Sequence, residues 1–502
     1  MTGAEVDYTD VQGLVRFGYK RMTQASYALT RVKNAAAARA WLRSAPVTTA
    51  VVRNPPPSCA VQVAFTAPGL QSLGLPASVL AGFSPEFLLG MTEPSRSRRL
   101  GDEGNNAPSY WDWGGSATMP DLLVMFFAEP GHLTGLVQDT TGSAWKEGFE
   151  VMRWLDTADL DGVEPFGFAD GISQPHIDWS QERDGGGGSR RSPGYSNVVA
   201  LGEFLLGYRN EYGKYTNRPV VEADAASANL LPAEDAPQKK DLARNGTYLV
   251  MRHLRQDVRG FWQFIRRQAG VDPMEAERLA AAMVGRTRAG DPLVPGQEAA
   301  NPGSGSEPDQ VRQNQFTFDS DPAGVHCPFG AHIRRANPRN ADYFGRQSVL
   351  ARLIAILGLG RHAFRDDLMS SVRFHRILRR GREYGAGLSP SDALAPAPPN
   401  DPERGLHFIC LNANISRQFE FLQNAWIMNT KFSGMTGESD PLLGNRETRP
   451  GCPITDDFVI QEADGLPRRV SRLPQFVTVR GGAYFFLPSL RALRYFADAG
   501  SG

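Results

Sequence analysis

The sequence predicts an α+β fold built from two similar halves, and three observations carry that prediction. Residues 25–44 read as a strand and then a helix: Ser26-Tyr27-Ala28-Leu29-Thr30-Arg31-Val32 alternates, and Ala35 to Leu42 is rich in strong helix formers. Residues 247–266 read the same way, with Thr247 to His253 as the strand and Val258 to Ile265 as the helix. An offset of 221 lays Tyr27 on Tyr248, Arg31 on Arg252 and Trp41 on Trp262, as an internal duplication would. About twenty aligned positions are also few enough for coincidence.

The remaining elements follow in order. Ala60 to Phe65 is an apolar strand followed by a helix over Pro68 to Leu75; Asp121 to Phe127 is a second, followed by a helix over Pro130 to Gln138. Such strand–helix pairs fit an α+β sandwich with helices on one face of each sheet. Between them, 95–116 reads as a long ordered loop because it carries Tyr110, Trp111 and Trp113. Residues 181–193 form a Gly-, Arg- and Ser-rich exposed loop, 287–315 an irregular insertion, and 387–404 a Pro-rich surface loop. The polar stretch 219–245 joins the halves. The expected organisation is an N-terminal half over 1–220, a linker over 221–245 and a C-terminal half over 246–502. In the latter, Val349 to Leu359 is helical, Leu406 to Asn412 is a strand, and Ile415 to Trp426 is a helix. Phe476 to Phe486 reads as a strand pair split by Gly481-Gly482.

Composition narrows the function classes. Lys+Arg 54 and Asp+Glu 54 cancel, so no global field draws the chain to nucleic acid or to an anionic membrane surface. No run of about 18 apolar residues predicts a membrane span. Cys59, Cys327, Cys410 and Cys452 are far apart and form no CxxC pair, which argues against a zinc ribbon or a thioredoxin motif and suits a reducing compartment. The first ten residues carry Glu5, Asp7 and Asp10 and lack an export-signal pattern, so a cytoplasmic location is expected.

Four stretches could carry chemistry. His326 to Arg339 holds two of eight histidines, His326 and His332, with Arg334, Arg335 and Arg339 beside them. A neutral imidazole among fixed cations can ligate a metal centre while the arginines neutralise anionic groups on it, as with haem and its two propionates. Phe166 to Pro175 brackets Asp170 with Gly167 and Gly171, which permit unusual dihedrals and close approach; a carboxylate so confined can move a proton. His375 to Gly385 places Arg379 and Arg380 before a glycine turn, where a permanent cation could stabilise charge developing on a peroxide oxygen. Ser433 to Leu442 offers Asp440, or Glu438, as the acid that receives the second N–H of a ligating histidine. Each has a plainer reading: a hydrogen-bonded core histidine, a turn aspartate, a solvated basic edge and a capping acid.

Together the four stretches resemble the dye-decolorizing peroxidases, a haem peroxidase family marked by a GxxDG motif, here Gly167-Phe168-Ala169-Asp170-Gly171. The likeness also covers Asp10 to Gly13, Gly202 to Tyr208, Cys327-Pro328-Phe329 with His332-Ile333-Arg334, Ile377-Leu378-Arg379 and Gln418-Phe419-Glu420, so it spans nearly the whole chain. The resemblance implies two ferredoxin-like halves of a dimeric α+β barrel-like superfamily, enclosing haem b. It implies His332 as the iron ligand, rather than His326, and Asp170 and Arg379 as the catalytic acid and arginine, with Arg380 the rival. Leu406 and Phe408 become the apolar cover of the distal haem face, and Arg334 and Asp440 further cofactor-binding residues. The implied partners are hydrogen peroxide and an aromatic or dye reductant, with Trp179, Trp262, Trp426 and Tyr384 as candidate electron relays; a homo-oligomer stays open. A haem-binding or iron-handling protein with incidental turnover is the alternative. It would keep His332 without needing Asp170 or Arg379. A non-haem α+β binding module is a third reading, and manganese oxidation would need a carboxylate cluster beside a propionate.

Overall fold

The computed structural model describes residues 5–182, 197–296, 313–339, 371–447 and 455–498. The N-terminal half contributes β1 (Gln24–Val32), α1 (Ala35–Ser44), β2 (Cys59–Phe65), β3 (Leu122–Ala128) and β4 (Phe149–Asp156). The C-terminal half contributes β5 (Thr247–Gln256), α2 (Val258–Ala269), α3 (Pro273–Val284), α4 (His332–Ala336), β6 (Leu378–Arg379), β7 (Arg382–Tyr384), β8 (Gly405–Asn412), β9 (Val477–Leu487) and α5 (Leu490–Asp498). All nine strands form one antiparallel sheet in the order β6-β8-β5-β9-β2-β3-β1-β4, with β7 also on β8. With β6 and β7, which both pair with β8, counted as one, each half threads its strands in one pattern: second, third, first, fourth. The halves meet where Phe486 of β9 pairs with Phe65 of β2.

The barrel-like expectation is met only in part. The outer edges of the sheet approach each other through Ala158 N–H donating to the Glu383 carbonyl (2.7 Å) and His407 Nε2 at the Asp156 carbonyl (3.1 Å). No strand pairing joins these edges among the described residues, and the sheet stays open.

The duplication holds in topology but not at the offset of 221. β1 breaks register with β4 after Leu29, and β5 with β9 after His253. The caps of α1 and α2 are Asn34 and Asp257, each accepting a first-turn N–H. Leu29 thus matches His253 and Asn34 matches Asp257, spacings of 224 and 223 residues. A shift of one residue along a strand swaps faces. Accordingly Tyr27 packs on one face of the sheet with Phe127, and Tyr248 on the other against Phe87.

Three other expectations change. The linker 221–245 builds a small three-stranded sheet from Val220–Glu222, Pro232–Ala233 and Ala236–Asp241. Gly481 and Gly482 do not break a hairpin; they lie inside the continuous β9, because a Cβ on Gly481 would meet the Trp113 indole at 2.6 Å. Ile415 to Trp426 is helical, but as π-helical turns over Ser416–Glu420 and Leu422–Ile427. The helix expected over Val349 to Leu359 lies outside the described residues.

The two helix-bearing faces differ. In the N-terminal half, Ala38, Trp41 and Leu42 of α1 pack against Ala28, Val61, Val63 and Phe126. In the C-terminal half, α2 and α3 bury Phe261, Trp262, Phe264, Leu279 and Met283 against Phe166, Phe168 and Phe476. A deep cavity borders the middle of that sheet face, at Arg252 and Leu254 of β5 and Leu406 and Phe408 of β8.

Candidate active site

The cavity gathers side chains from the far ends of the sequence. His332 opens α4, and its Nδ1 lies 2.9 Å from Asp440 Oδ2. Asp440 is buried, and its other oxygen accepts the N–H groups of Leu442 and Leu443, both at 2.9 Å. Burial pushes the Asp440 carboxyl up, but His332, the Leu443 N–H and Arg335 outweigh it and hold it below the usual carboxylate range. Burial pushes the His332 imidazole down, and Asp440 more than reverses this. With Nδ1 so engaged, Nε2 is left for the cavity. Glu438, the other candidate acid, accepts the Val459 N–H instead.

Asp170 reaches the same cavity from the glycine-bracketed loop. Gly167 and Gly171 both adopt positive φ, +95° and +73°, which the bracket predicted. Phe166 and Phe168 anchor the loop on Phe261 and Trp262, whose Nε1 donates to the Phe166 carbonyl at 3.0 Å. Glu164 accepts the N–H groups of Phe166 and Phe168, and burial pushes its carboxyl up to about 7. Arg379 Nη1 donates to Asp170 Oδ1 at 2.9 Å. Burial raises the Asp170 carboxyl, but Arg379, the Gly171 N–H and His332 lower it below its ordinary value.

Strand alternation separates the rival arginines. Arg379 pairs with Cys410 on β8 and shares the face of Leu406 and Phe408, both of which line the cavity. Arg380 points the other way and donates to the carbonyls of Leu14 and Val15.

One expectation fails. Arg334 does not line the cavity: it is clamped between the Phe318 and Phe329 rings and donates to Asp321 and the Cys327 carbonyl. His326 is exposed and lies beside Asp321. Of the three arginines near His332, Arg339 is the one that borders the cavity; Arg335 donates instead to carbonyls of Trp426 and Glu438. Arg286, which the sequence reading passed over, joins Arg339 and Arg379. It is buried, its Nη2 has no hydrogen-bond partner among the described residues, and burial with those two cations lowers it to about 9. Of the relay candidates, Trp426 meets the cavity-lining His375 edge-on at 5.3 Å, Trp262 is a core residue, and Trp179 packs on Tyr8. The Tyr384 hydroxyl donates to Glu403.

The donor set fits an iron porphyrin. One imidazole is backed by an acid and has its second nitrogen free for metal. Three guanidinium groups, one with an orphaned nitrogen, suit a group that brings two carboxylates.

Comparisons with known proteins agree. No family model matches the chain. The multifunctional dye peroxidase DyP2 of Amycolatopsis sp. (strain ATCC 39116 / 75iv2) is 30% identical over 451 residues, 86% of this chain and 81% of the relative. The chain belongs to the dye-decolorizing peroxidase family. Peroxidase 2 of Mycetinis scorodonius is 27% identical over 97% of this chain and 87% of its own length. In fold, the chain matches a decolorizing peroxidase from Auricularia auricula-judae with a TM-score of 0.71, at 24% identity, covering 98% of this chain and 100% of that one. A further dye-decolorizing peroxidase of this fold, solved in complex with 2,6-dimethoxyphenol, matches at a TM-score of 0.71 and 23% identity over 98% of this chain. As a member of the family, this chain is a haem-dependent peroxidase. No helix among the described residues is long and apolar enough to cross a membrane.

Proposed function

We propose that this peroxidase reduces hydrogen peroxide to water at a haem b held by His332, and oxidises dyes or phenols such as methoxyphenols by single electrons. The observation that carries the reading is the placement of the His332–Asp440 pair and the Asp170–Arg379 pair on one cavity. Arg286, Arg339 and Arg379 are assigned to the propionates, and Leu406 and Phe408 to the distal face. When bound, the haem supplies the redox centre that peroxide oxidises by two electrons and reductants restore one electron at a time. Three free thiols, Cys59, Cys327 and Cys410, support the reducing, cytoplasmic setting within this proposal.

The protein's part is proton handling and charge. Arg379 and the Gly171 N–H keep Asp170 ionised, hence ready as a base in mildly acid solution. Asp170 takes a proton from one peroxide oxygen and returns it to the other, so the O–O bond breaks with water as the leaving group. Arg379 offsets the negative charge that builds on the oxygens meanwhile. Leu406 and Phe408 keep the space small and apolar, which excludes bulky dyes. Asp440 fixes the tautomer of His332 by accepting from Nδ1 and strengthens Nε2 as a donor.

The test is rapid mixing of haem-loaded protein with peroxide. Asp170→Asn and Arg379→Ala should each retain haem and slow the spectral change by about 10²–10⁴-fold. Wild-type speed in both variants would sink these roles and favour an iron-handling protein that turns over peroxide incidentally.

A further inference from the structure

Arg379 stands on a strand of two residues. Among the described residues β6 is paired on one side only, through Leu378 with Leu411 and Arg379 with Cys410 of β8. The outer edge of such a strand presents an N–H and a carbonyl without a strand partner, and partly buried backbone requires one. Both groups are met by a single side chain. The Arg379 N–H donates to Gln174 Oε1 at 3.0 Å, and Gln174 Nε2 donates to the Arg379 carbonyl at 3.1 Å. That carbonyl also accepts from Arg380 Nη1 at 3.1 Å, which its second lone pair allows.

Gln174 lies four residues beyond Asp170 on the same loop. Its own carbonyl accepts from Asn314 Nδ2 at 3.1 Å, and the preceding Ser173 carbonyl accepts from Arg379 Nη2 at 3.4 Å. The loop that carries the acid is thus sewn to the backbone of the residue that carries the cation. We propose that Gln174 is a positioning residue: its amide stands in for the missing neighbour of β6 and sets the separation of Asp170 and Arg379. The inference rests on the roles given to that pair above. Among side chains of this length only an amide offers one donor and one acceptor together. A glutamate is nearly the same shape, but when ionised it turns an acceptor against the Arg379 carbonyl.

Loosening this clamp has a consequence that mere destabilisation lacks. The charges facing Asp170 are Arg379 from β6, His332 from α4, Glu164 from its own loop and Glu383 from β7. Arg379 and His332 favour the carboxylate, whereas Glu164 and Glu383 oppose it. Weaken the hold of Arg379 and Asp170 protonates at higher pH.

The test uses the haem-loaded full chain mixed with peroxide from acid to neutral pH. Gln174→Ala and Gln174→Glu should slow the peroxide step by about tenfold, the glutamate more than the alanine. Both should move the acid limb of the rate profile upward. The Asp170 carboxylate band, identified by infrared difference against Asp170→Asn, should appear at correspondingly higher pH. Gln174→Ala placed on Arg379→Ala should slow the reaction no further. An unmoved limb and carboxylate band, or an undiminished effect in the Arg379→Ala background, would overturn the assignment. The near-isosteric Gln174→Glu decides the matter by itself if Gln174→Ala does not fold. If Asp170→Asn and Arg379→Ala themselves leave the peroxide step unchanged, the proposed function fails first. If they slow it and the Gln174 variants shift nothing, only Gln174 is misassigned.

Discussion

Over β1, β2 and β3 the helix-bearing face of the sheet is Ala28, Val61, Val63 and Phe126, covered by Trp41 and Leu42 of α1. Over β5 and β8 the corresponding face carries Arg252, Leu254, Gln256, Leu406 and Phe408 and borders the cavity. The shared register break matches Ala28 with Arg252 and Thr30 with Leu254, so one strand pattern serves opposite ends. Small and apolar residues let a helix settle onto the sheet. A guanidinium and an amide cannot be covered by a helix without partners of their own. Arg252 finds its partner in Asp102, with both nitrogens of its fork on the carboxylate at 2.5 and 2.9 Å. The fold therefore supplies the scaffold twice, and the polar face of one copy reserves room for a cofactor.

The sharpest break of this comparison is made at His332. Removing the imidazole by His332→Ala leaves the sheet and the whole N-terminal half untouched but takes away the proposed ligand. Losing an outer partner of a metal ligand typically costs 10–100-fold. Losing the ligand itself should cost more, so peroxide turnover should drop by more than about 100-fold and the haem absorption band of the purified protein should collapse. A variant that keeps both the band and the turnover would show that the cavity binds its cofactor through another residue.

The mirror experiment belongs to the closed face. Trp41 is buried, meets Trp145 edge-on at 5.0 Å and Phe149 at 5.4 Å, and donates Nε1 to the Thr140 carbonyl at 2.9 Å. Trp41→Ala should cost about 3–5 kcal/mol of unfolding free energy by the usual scale for large core aromatics. Haem content and the peroxide rate of the folded protein should stay at wild-type levels. A stability loss accompanied by an equal loss of peroxide rate at a temperature where the variant is folded would mean that the halves are coupled through the sheet.

How much of this was legible in the sequence depends on how far each decisive contact reaches. The strand–helix units were visible because their patterns are local. Asp170 was legible because its glycines sit on either side of it. The choice among Arg334, Arg335 and Arg339 was not legible. Arg334 is claimed by Asp321 and two phenylalanine rings, Arg335 by carbonyls about a hundred residues further on, and only Arg339 borders the cavity. Gln174 was in plain view within the motif, but the backbone it serves lies 205 residues away. Gly481-Gly482 read as a turn, since the approaching indole of Trp113 leaves no mark near it. Arg286 left no signal at all, because its meaning comes from Arg339 and Arg379.

The finest distinction sets His332 against two histidines that face away from the cavity. His253 and His407 are buried on β5 and β8 with ring centroids 4.9 Å apart. Among the described residues neither nitrogen of His253, nor Nδ1 of His407, has a hydrogen-bond partner, whereas His332 has Asp440. Burial lowers His253 to about 4, and burial together with His253 lowers His407 to about 3. The unfolded chain takes up these protons near pH 6.5, so between there and about pH 3–4 it binds more protons than the folded protein does. The stabilising contribution is complete above pH 6.5 and is lost as pH falls through that window. His407→Gln keeps an N–H for the Asp156 carbonyl but cannot titrate. Its unfolding free energy, measured in urea, should therefore fall less than that of wild type between pH 7 and pH 4.5, by about 2 kcal/mol. Parallel pH profiles for the two proteins would show that His407 is charged within the fold and that its environment resembles that of His332 after all.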